Sequence, residues 1–264
     1  LSVAILLLGV MFLLYAIMQE RKLNALKSEF IANVSHELKT PLSAVRMFGE
    51  MLLTQRVGNE AKRRQYLEII CREAERLSAL IENVLDFAAL ERGKQSYAPE
   101  QADVGEIVAR GVETVRHRLE GVDIRVHTPQ PLPSVLVDAH AVLLAVINLL
   151  DNAIKYGEGT PIDVTIEQLE RELIVSVRDR GPGIPRADVR RVFDRFYRVR
   201  RPGQHQRGSG IGLSLVKHIA DAHGGRAWAD NAPDGGAIVS FSVAVDAQRR
   251  SEPRLNDAHE GVSS

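Results

Sequence analysis

The spacing of apolar positions changes along this chain, and each change marks a different kind of element. Residues 1–18 (LSVAILLLGVMFLLYAIM) carry no charge and are almost wholly apolar. That length sits at the lower limit for crossing about 30 Å of hydrocarbon at about 1.5 Å per residue. A secretory leader has a basic residue ahead of the apolar run and a small-residue cleavage site behind it. Neither stands here; Arg21, Lys22 and Lys27 follow the run instead, which places the residues after it on the cytoplasmic side. The run opens on Leu1 without an initiator Met, so it is expected to be clipped from a longer segment; a buried core helix is the alternative.

From 19 to about 54 the pattern is helical. Leu23, Leu26, Phe30, Val34, Leu38, Leu42, Val45, Phe48 and Leu52 recur at alternating spacings of three and four, a heptad-like stripe suited to a bundle seam. Gly58 and Asn59 interrupt it. A second helix is predicted over 60–92, with Tyr66, Ile70, Leu77, Leu80, Val84 and Phe87 on its apolar side and Gly93 closing it. Two long helices with a short connection form an antiparallel hairpin whose stripes a second copy can cover, so a homodimeric four-helix bundle is expected. So few residues separate the apolar run from the middle of the stripe that the two helices are expected to be nearly continuous.

Beyond Gly93 the periods mix. Asp103 caps a helix to about Leu119, and 123–128 alternates as a strand. A strongly apolar helix follows over 138–156, then strands over 162–168 and 172–178 about a turn at Glu170. Residues 181–210 are rich in Gly, Pro and Arg and read as a mobile loop. A helix over 211–223 stops at Gly224 and Gly225, and strands over 226–230 and 237–245 flank an Asp234-Gly235-Gly236 turn. The polar tail 248–264 is expected to be disordered.

Composition narrows the class without naming it. Lys and Arg total 34 against 34 for Asp and Glu, so no net charge points to nucleic acid as a partner. The single Cys71 excludes an intrachain disulfide framework; its plain reading is a small hydrophobe on a helix.

The chemistry lies in separated clusters. Ser35-His36-Glu37-Leu38-Lys39-Thr40-Pro41 puts an imidazole on a helix. A zinc site would need a second His four residues on, where Thr40 stands, so a metal reading fails. A neutral imidazole can instead attack an electrophile. Glu37 can serve as orienting group and general base, and Pro41 removes a helix bond beside His36, with a kink expected there. Asn148 and Asn152 share a helix face, and a neutral amide oxygen can ligate Mg²⁺ beside phosphates. Lys155 lies on the same side and can neutralise phosphate charge; an asparagine-rich helix with no ligand is the bland alternative. Asp179-Arg180-Gly181-Pro182-Gly183-Ile184 follows a strand, where Asp179 can accept from an exocyclic amine and the glycines allow a ligand close. Gly208-Ser209-Gly210-Ile211-Gly212-Leu213 leads into a helix, an arrangement that aims backbone N–H groups at an anion. Between these, Phe193 to Arg198 sets aromatics that can anchor a loop while Arg195 and Arg198 face phosphate; a basic solvated loop is the bland alternative. His117, His127, His140, His205, His218 and His223 are scattered without ligand spacing and read as structural or solvated.

In order and spacing these clusters resemble the H, N, G1, F and G2 boxes of the sensor histidine kinase family, over about 26–245. The resemblance implies His36 as phosphoacceptor, Glu37 as its acid/base neighbour, and Thr40 as the position that orients water in the reverse phosphatase reaction. It implies Mg²⁺ on Asn152 with Asn148 nearby, and nucleotide contacts from Lys155 and Tyr156. Asp179 matches the adenine-binding carboxylate; Gly181, Gly183, Ile184, Gly208, Gly210, Gly212 and Leu213 match the lid and phosphate segments. ATP and Mg²⁺ are the cofactors so implied, and an Asp on a response regulator receiver domain the next acceptor.

The expected fold class is α+β: a transmembrane segment (1–18), a dimerising helical hairpin (19–93), an α/β sandwich like that of gyrase-type ATPases (94–247), and the tail. The expected location is the bacterial cytoplasmic membrane, with the core facing the cytoplasm. An ATP-hydrolysing switch without phosphohistidine and a catalytically dead scaffold are the other classes. Erosion at Asn152, Asp179 or the glycines would mark the scaffold, and none is eroded.

Overall fold

The computed structural model describes residues 2–54, 58–91, 97–118, 123–128, 131–157, 159–199 and 210–245, without the side chains of 2–8, 22, 23, 29, 83, 86, 87 and 89–91. Gly93, expected to close the second helix, Gly208 and the tail 248–264 lie outside the described residues. The chain divides into two units, Leu1–Lys94 with Asp194–Ile211, and Gln95–Phe193 with Gly212–Ser264.

In the first unit, helix α1 (Ser2–Leu53) runs unbroken from the apolar segment through His36 and past Pro41, so the expected continuity holds. Among the described residues no helix is long and apolar enough to cross a membrane. Helix α2 (Glu60–Glu91) starts where the Asn59 Oδ1 accepts the Ala61 N–H at 2.9 Å, a side-chain cap on a bare helix end. Phe48 and Tyr66 tilt together at 4.9 Å between ring centres and join the two helices. The predicted stripe is only half-buried at Leu26, Phe30, Val34, Leu38, Val45, Phe48 and Leu52; of the described side chains on α1 and α2, Pro41 alone is buried. Phe196 and Ile211 make a small buried cluster with Leu26, Phe30 and Val84, in which the Phe30 and Phe196 rings lie 4.7 Å apart. Phe196 takes φ 64°, a left-handed conformation costly for a bulky side chain, and its N–H donates to the Gly210 carbonyl at 3.1 Å.

The second unit is a five-stranded mixed sheet carrying helices. Its strands are β2 (Ile124–His127), β4 (Ile162–Leu169), β5 (Glu172–Arg178), β6 (Ala227–Asn231) and β7 (Ala237–Ala244). They stand in the order β2-β4-β5-β7-β6. Only β2 and β4 are parallel; the other neighbours are antiparallel. The registers explain the two faces. Val164 opposes Val177, Val177 opposes Val239 and Val239 opposes Ala229, which sets a row of buried apolar side chains across the sheet. One residue along, Thr165, Ser176, Ser240 and Trp228 form the next row on the opposite face, with Ser176 and Ser240 hydroxyls 2.8 Å apart. Helices α3 (Val104–Arg118), α4 (Ala139–Tyr156) and α5 (Gly212–Ala222) supply the rest of the core through Val104, Val108, Val115, Leu149, Leu150, Leu215 and Ile219.

A second, two-stranded sheet pairs β1 (Glu100–Ala102) with β3 (Val135–Val137). The sequence pattern marks neither strand, because three residues are too few to show a period. Turn chemistry is where it was expected. Glu170 takes φ 52° between β4 and β5, and Gly235 and Gly236 both take positive φ between β6 and β7.

Candidate functional site

Helix α4 carries one half of the site. Asp138 caps it: Oδ1 accepts the Ala141 N–H at 3.0 Å while Oδ2 accepts the Ala98 N–H at 3.0 Å. His223 braces the same point, taking the Asp138 N–H on Nε2 at 3.0 Å with Nδ1 2.7 Å from the Ile219 carbonyl, so it is a structural histidine. Asn148, Asn152 and Lys155 follow at helical spacings of four and three and share a side of α4, and Tyr156 stands four residues after Asn152. Asn148 is buried and committed: Nδ2 donates to the Leu144 carbonyl at 2.9 Å, and Oδ1 would lie 2.6 Å from a Cβ placed on Gly212. Asn152, one turn on, is half-buried, and its carboxamide makes no hydrogen bond among the described residues. The Lys155 ammonium sits 5.0 Å from the centre of the Tyr156 ring.

The other half is the turn after β5. Asp179 is 5% exposed, and its Oδ1 accepts the N–H groups of Gly181 at 2.8 Å and Ala237 at 3.1 Å. Oδ2 takes no hydrogen bond among the described residues, so a buried carboxylate is held rigidly by one oxygen and left with the other. The backbone around it is packed to contact. A Cβ on Gly181 would come 2.0 Å from the Tyr156 carbonyl oxygen, and one on Gly236 would come 2.0 Å from that of Asp179. Only glycine fits such approaches. Arg180 ties the turn to the start of β4 through the Pro161 carbonyl at 2.7 Å and Asp163 at 2.6 Å. Arg178 pairs with Asp234, whose carboxyl it holds below the ordinary carboxylate range. The end of the turn is gripped by a residue that motif reading missed. The Asn231 Oδ1 accepts the Ile184 N–H at 2.6 Å and its Nδ2 donates to the Ile184 carbonyl at 2.6 Å.

The second unit therefore assembles Asn148, Asn152, Lys155, Tyr156, Asp179, Gly181, Gly183, Ile184, Gly212 and Leu213. Arg195, Arg198 and Gly210 belong to the first unit. Gly210 takes φ 74° with its Cα packed on the Phe196 backbone, so in this conformation it shapes the loop.

On α1, His36 is exposed and its ring makes no hydrogen bond among the described residues. The Thr40 hydroxyl donates to the His36 carbonyl at 3.2 Å. Glu37 is half-buried, with Oε1 buried and lacking a hydrogen-bond partner among the described residues.

The fit to a magnesium-bound nucleotide rests on uncommitted groups. Asp179 Oδ2 can accept a hydrogen bond from an amine N–H, and the Asn152 amide oxygen is a neutral hard donor of the kind Mg²⁺ accepts alongside phosphate oxygens. Asn148 is a weaker candidate ligand than the sequence suggested, since its amide already serves Leu144 and packs on Gly212.

A family model described as His Kinase A (phospho-acceptor) domain matches residues 26–93, and one described as Histidine kinase-, DNA gyrase B-, and HSP90-like ATPase matches 137–247. Sensor histidine kinase WalK of Bacillus subtilis (strain 168) is 30% identical over 240 residues, covering 89% of this chain and 39% of the relative. The chain spans 39 to 45% of the length of such curated relatives. Among solved structures, a mycobacterial sensor histidine kinase, MprB, is 30% identical with a TM-score of 0.50 over 56% of this chain and 97% of that one. The histidine kinase ThkA in complex with the response regulator protein TrrA shares the fold, with a TM-score of 0.60 at 22% identity, over 87% of this chain and 65% of that one.

Proposed function

Since this chain belongs to the histidine kinase family, we propose that it is a sensor-kinase core that uses ATP to phosphorylate His36 and passes the phosphoryl group to an Asp of a response regulator receiver domain. The observation that carries the reading is Asp179. A carboxylate this buried, pinned by two backbone N–H groups through one oxygen with the other open, is pre-organised for a ligand's N–H donor. Adenine carries such a donor on its exocyclic amine.

The chain's own groups then divide the work. Asp179 reads the base, and the glycine backbone of the Gly181–Ile184 turn lets it approach. The N-terminal N–H groups of α5 at Gly212 and Leu213 favour phosphate. Lys155 neutralises phosphate charge and Tyr156 contributes a nucleotide contact; Arg195 and Arg198 face phosphate, and Gly208 and Gly210 have the phosphate-segment roles that the family resemblance implies. Asn152, with Asn148 behind it, would hold Mg²⁺, which when bound offsets the charge of the phosphate oxygens. A neutral His36 ring nitrogen attacks the terminal phosphorus, the bond to the bridging oxygen breaks, and ADP leaves. The proton on the other ring nitrogen is lost to Glu37, the acid/base neighbour that the family resemblance implies. Thr40 orients water for the reverse, phosphatase direction.

The incompletely buried stripe of the hairpin, with Leu42 57% exposed, supports a homodimer, and the ThkA–TrrA complex supports a response regulator as partner. Residues 1–18 are read as a membrane anchor with the kinase core on the cytoplasmic side. The support is that Val10, Met11, Phe12, Leu13, Leu14, Tyr15, Ile17 and Met18 are all exposed around one helix, an all-round apolar surface that water does not tolerate.

The test is incubation of the chain with Mg²⁺ and ATP labelled on its terminal phosphate. An acid-labile, alkali-stable adduct should form, vanish in His36→Ala, and transfer to one member of a panel of receiver domains. Hydrolysis of ATP with no adduct would instead identify an ATP-driven switch.

A further inference from the structure

The turn that carries Asp179 is fixed at two points, and both fixings come from one place. Asn231 closes β6, Ala237 opens β7, and the two are register partners. The Ala237 N–H donates to Asp179 Oδ1 at 3.1 Å, and the Asp179 N–H donates to the Ala237 carbonyl at 3.0 Å, which holds the start of the turn. The Asn231 carboxamide holds its end by taking the Ile184 N–H and giving to the Ile184 carbonyl, both at 2.6 Å.

A carboxamide is the one short side chain with a donor and an acceptor side by side. Here it stands in for a neighbouring strand residue and extends the β6 ladder onto a loop. It also accounts for Gly183, which sits at φ 69°, where an added Cβ would come 2.6 Å from Asn231 Oδ1. Pro182 and Pro185 flank this stretch and restrict the backbone on either side of it. Two prolines and a two-bond clamp leave the Gly183–Ile184 peptide little freedom.

We infer that Asn231 is a positioning residue for nucleotide binding: without touching the nucleotide, it sets the backbone of the Gly181–Ile184 turn against which the base is read. The inference rests on the assignment of Asp179 to the adenine of ATP. Asn231 is exposed, so losing it removes the clamp without opening a cavity. Its loss should therefore appear in ligand affinity before it appears in stability.

The experiment compares the unchanged chain with Asn231→Ala and the isosteric Asn231→Asp, which keeps an acceptor for the Ile184 N–H but offers no donor to its carbonyl. Titration with ATP in the presence of Mg²⁺ should give a dissociation constant raised about fivefold in both variants, the worth of one or two exposed hydrogen bonds. The labelling rate of His36 at saturating ATP should stay within about twofold, because bound ATP restores the turn. Hydrogen exchange at the Ile184 amide should accelerate in Asn231→Ala while the thermal midpoint stays put. Unchanged affinity in both variants would overturn the inference, and so would an affinity loss that tracks a fall in thermal midpoint. If Asn231→Ala does not fold, Asn231→Asp decides by the same criteria. Failure of the unchanged chain to bind ATP would overturn the nucleotide assignment and the clamp together, whereas unaltered binding in the variants removes only the clamp.

Discussion

Asp179 illustrates how much of a site a single carboxylate can hold. Replacing it by Asn keeps an oxygen for the Gly181 and Ala237 N–H groups but turns the free oxygen into an NH₂ that meets an amine donor to donor. Asp179→Asn should therefore weaken ATP about 30-fold, the cost of losing one charge-assisted hydrogen bond and burying an unmatched donor, about 2 kcal/mol. The thermal midpoint should change by no more than about 2 °C. Isothermal titration beside a melting curve checks both, and a collapse of the midpoint would show that Asp179 serves the fold more than the ligand. Asp179 was legible in the sequence because a carboxylate directly after a strand and before Gly-x-Gly has few structural uses. Asn231 was not. Its role is to imitate backbone, and that leaves no trace in spacing or composition; only the hydrogen bonds to Ile184 reveal it. Glu37 lies between these cases: its place beside His36 was readable, but the buried Oε1 without a hydrogen-bond partner among the described residues appears only in three dimensions.

Helix α4 shows how an element is held in place for a site at its far end. Burial raises the Asp138 carboxyl pKa, but the Ala141, Ala98 and His140 N–H groups and nearby His223 lower it, and the pKa lies below its ordinary value. A carboxyl so lowered stabilises the fold fully above its unfolded pKa of about 3.9, and that contribution is lost as pH falls through the lower folded value. Asp138→Ala should cost about 1 kcal/mol at neutral pH, a typical helix-cap loss. The cost should shrink as the unchanged chain is taken below about pH 4, since protonation removes the same interaction. Urea unfolding of both proteins across that range checks the sign, and a cost that grows on acidification would refute it. The β6–β7 turn offers a harsher test. Gly236 sits at φ 88° with no room for a Cβ against the Asp179 carbonyl, so Gly236→Ala should cost about 2–4 kcal/mol and weaken ATP as well. Elements of this kind were readable because Asp138, Gly224 and the Gly235-Gly236 pair are start and stop signals with a mechanism. Strands β1 and β3 were not, since three residues show no alternation and their pairing of Glu100 with Val137 spans two intervening elements.

At the scale of the molecule, the two units differ in how complete they are. The α/β unit has a closed core, with Phe241, Leu149, Leu150, Ile162, Ile166, Leu173, Leu215 and Ile219 at or near zero exposure. The hairpin has no such core: Pro41 is its one buried side chain among those described on its helices, and Ile31 and Leu42 stand 57% exposed, Leu85 60% and Leu67 48%. Helices with apolar side chains so open fit one half of a bundle, and in the homodimer proposed above a second copy would cover them in return. Burying such leucines is worth about 1.5–3 kcal/mol each. A charge in their place costs that and leaves an unpaired ion at the seam. Leu42 lies on the stripe, so Leu42→Glu should turn a dimer into a monomer by light scattering in detergent. Its α/β unit should still bind ATP, because no residue of that core lies on the hairpin. The labelling of His36 then discriminates further. If it becomes second order in protein concentration in the variant, while the unchanged chain stays first order, phosphorylation runs across the dimer. If both remain first order, each protomer labels its own histidine. Should the unchanged chain itself scatter as a monomer, the exposed stripes must be covered by something other than a second copy.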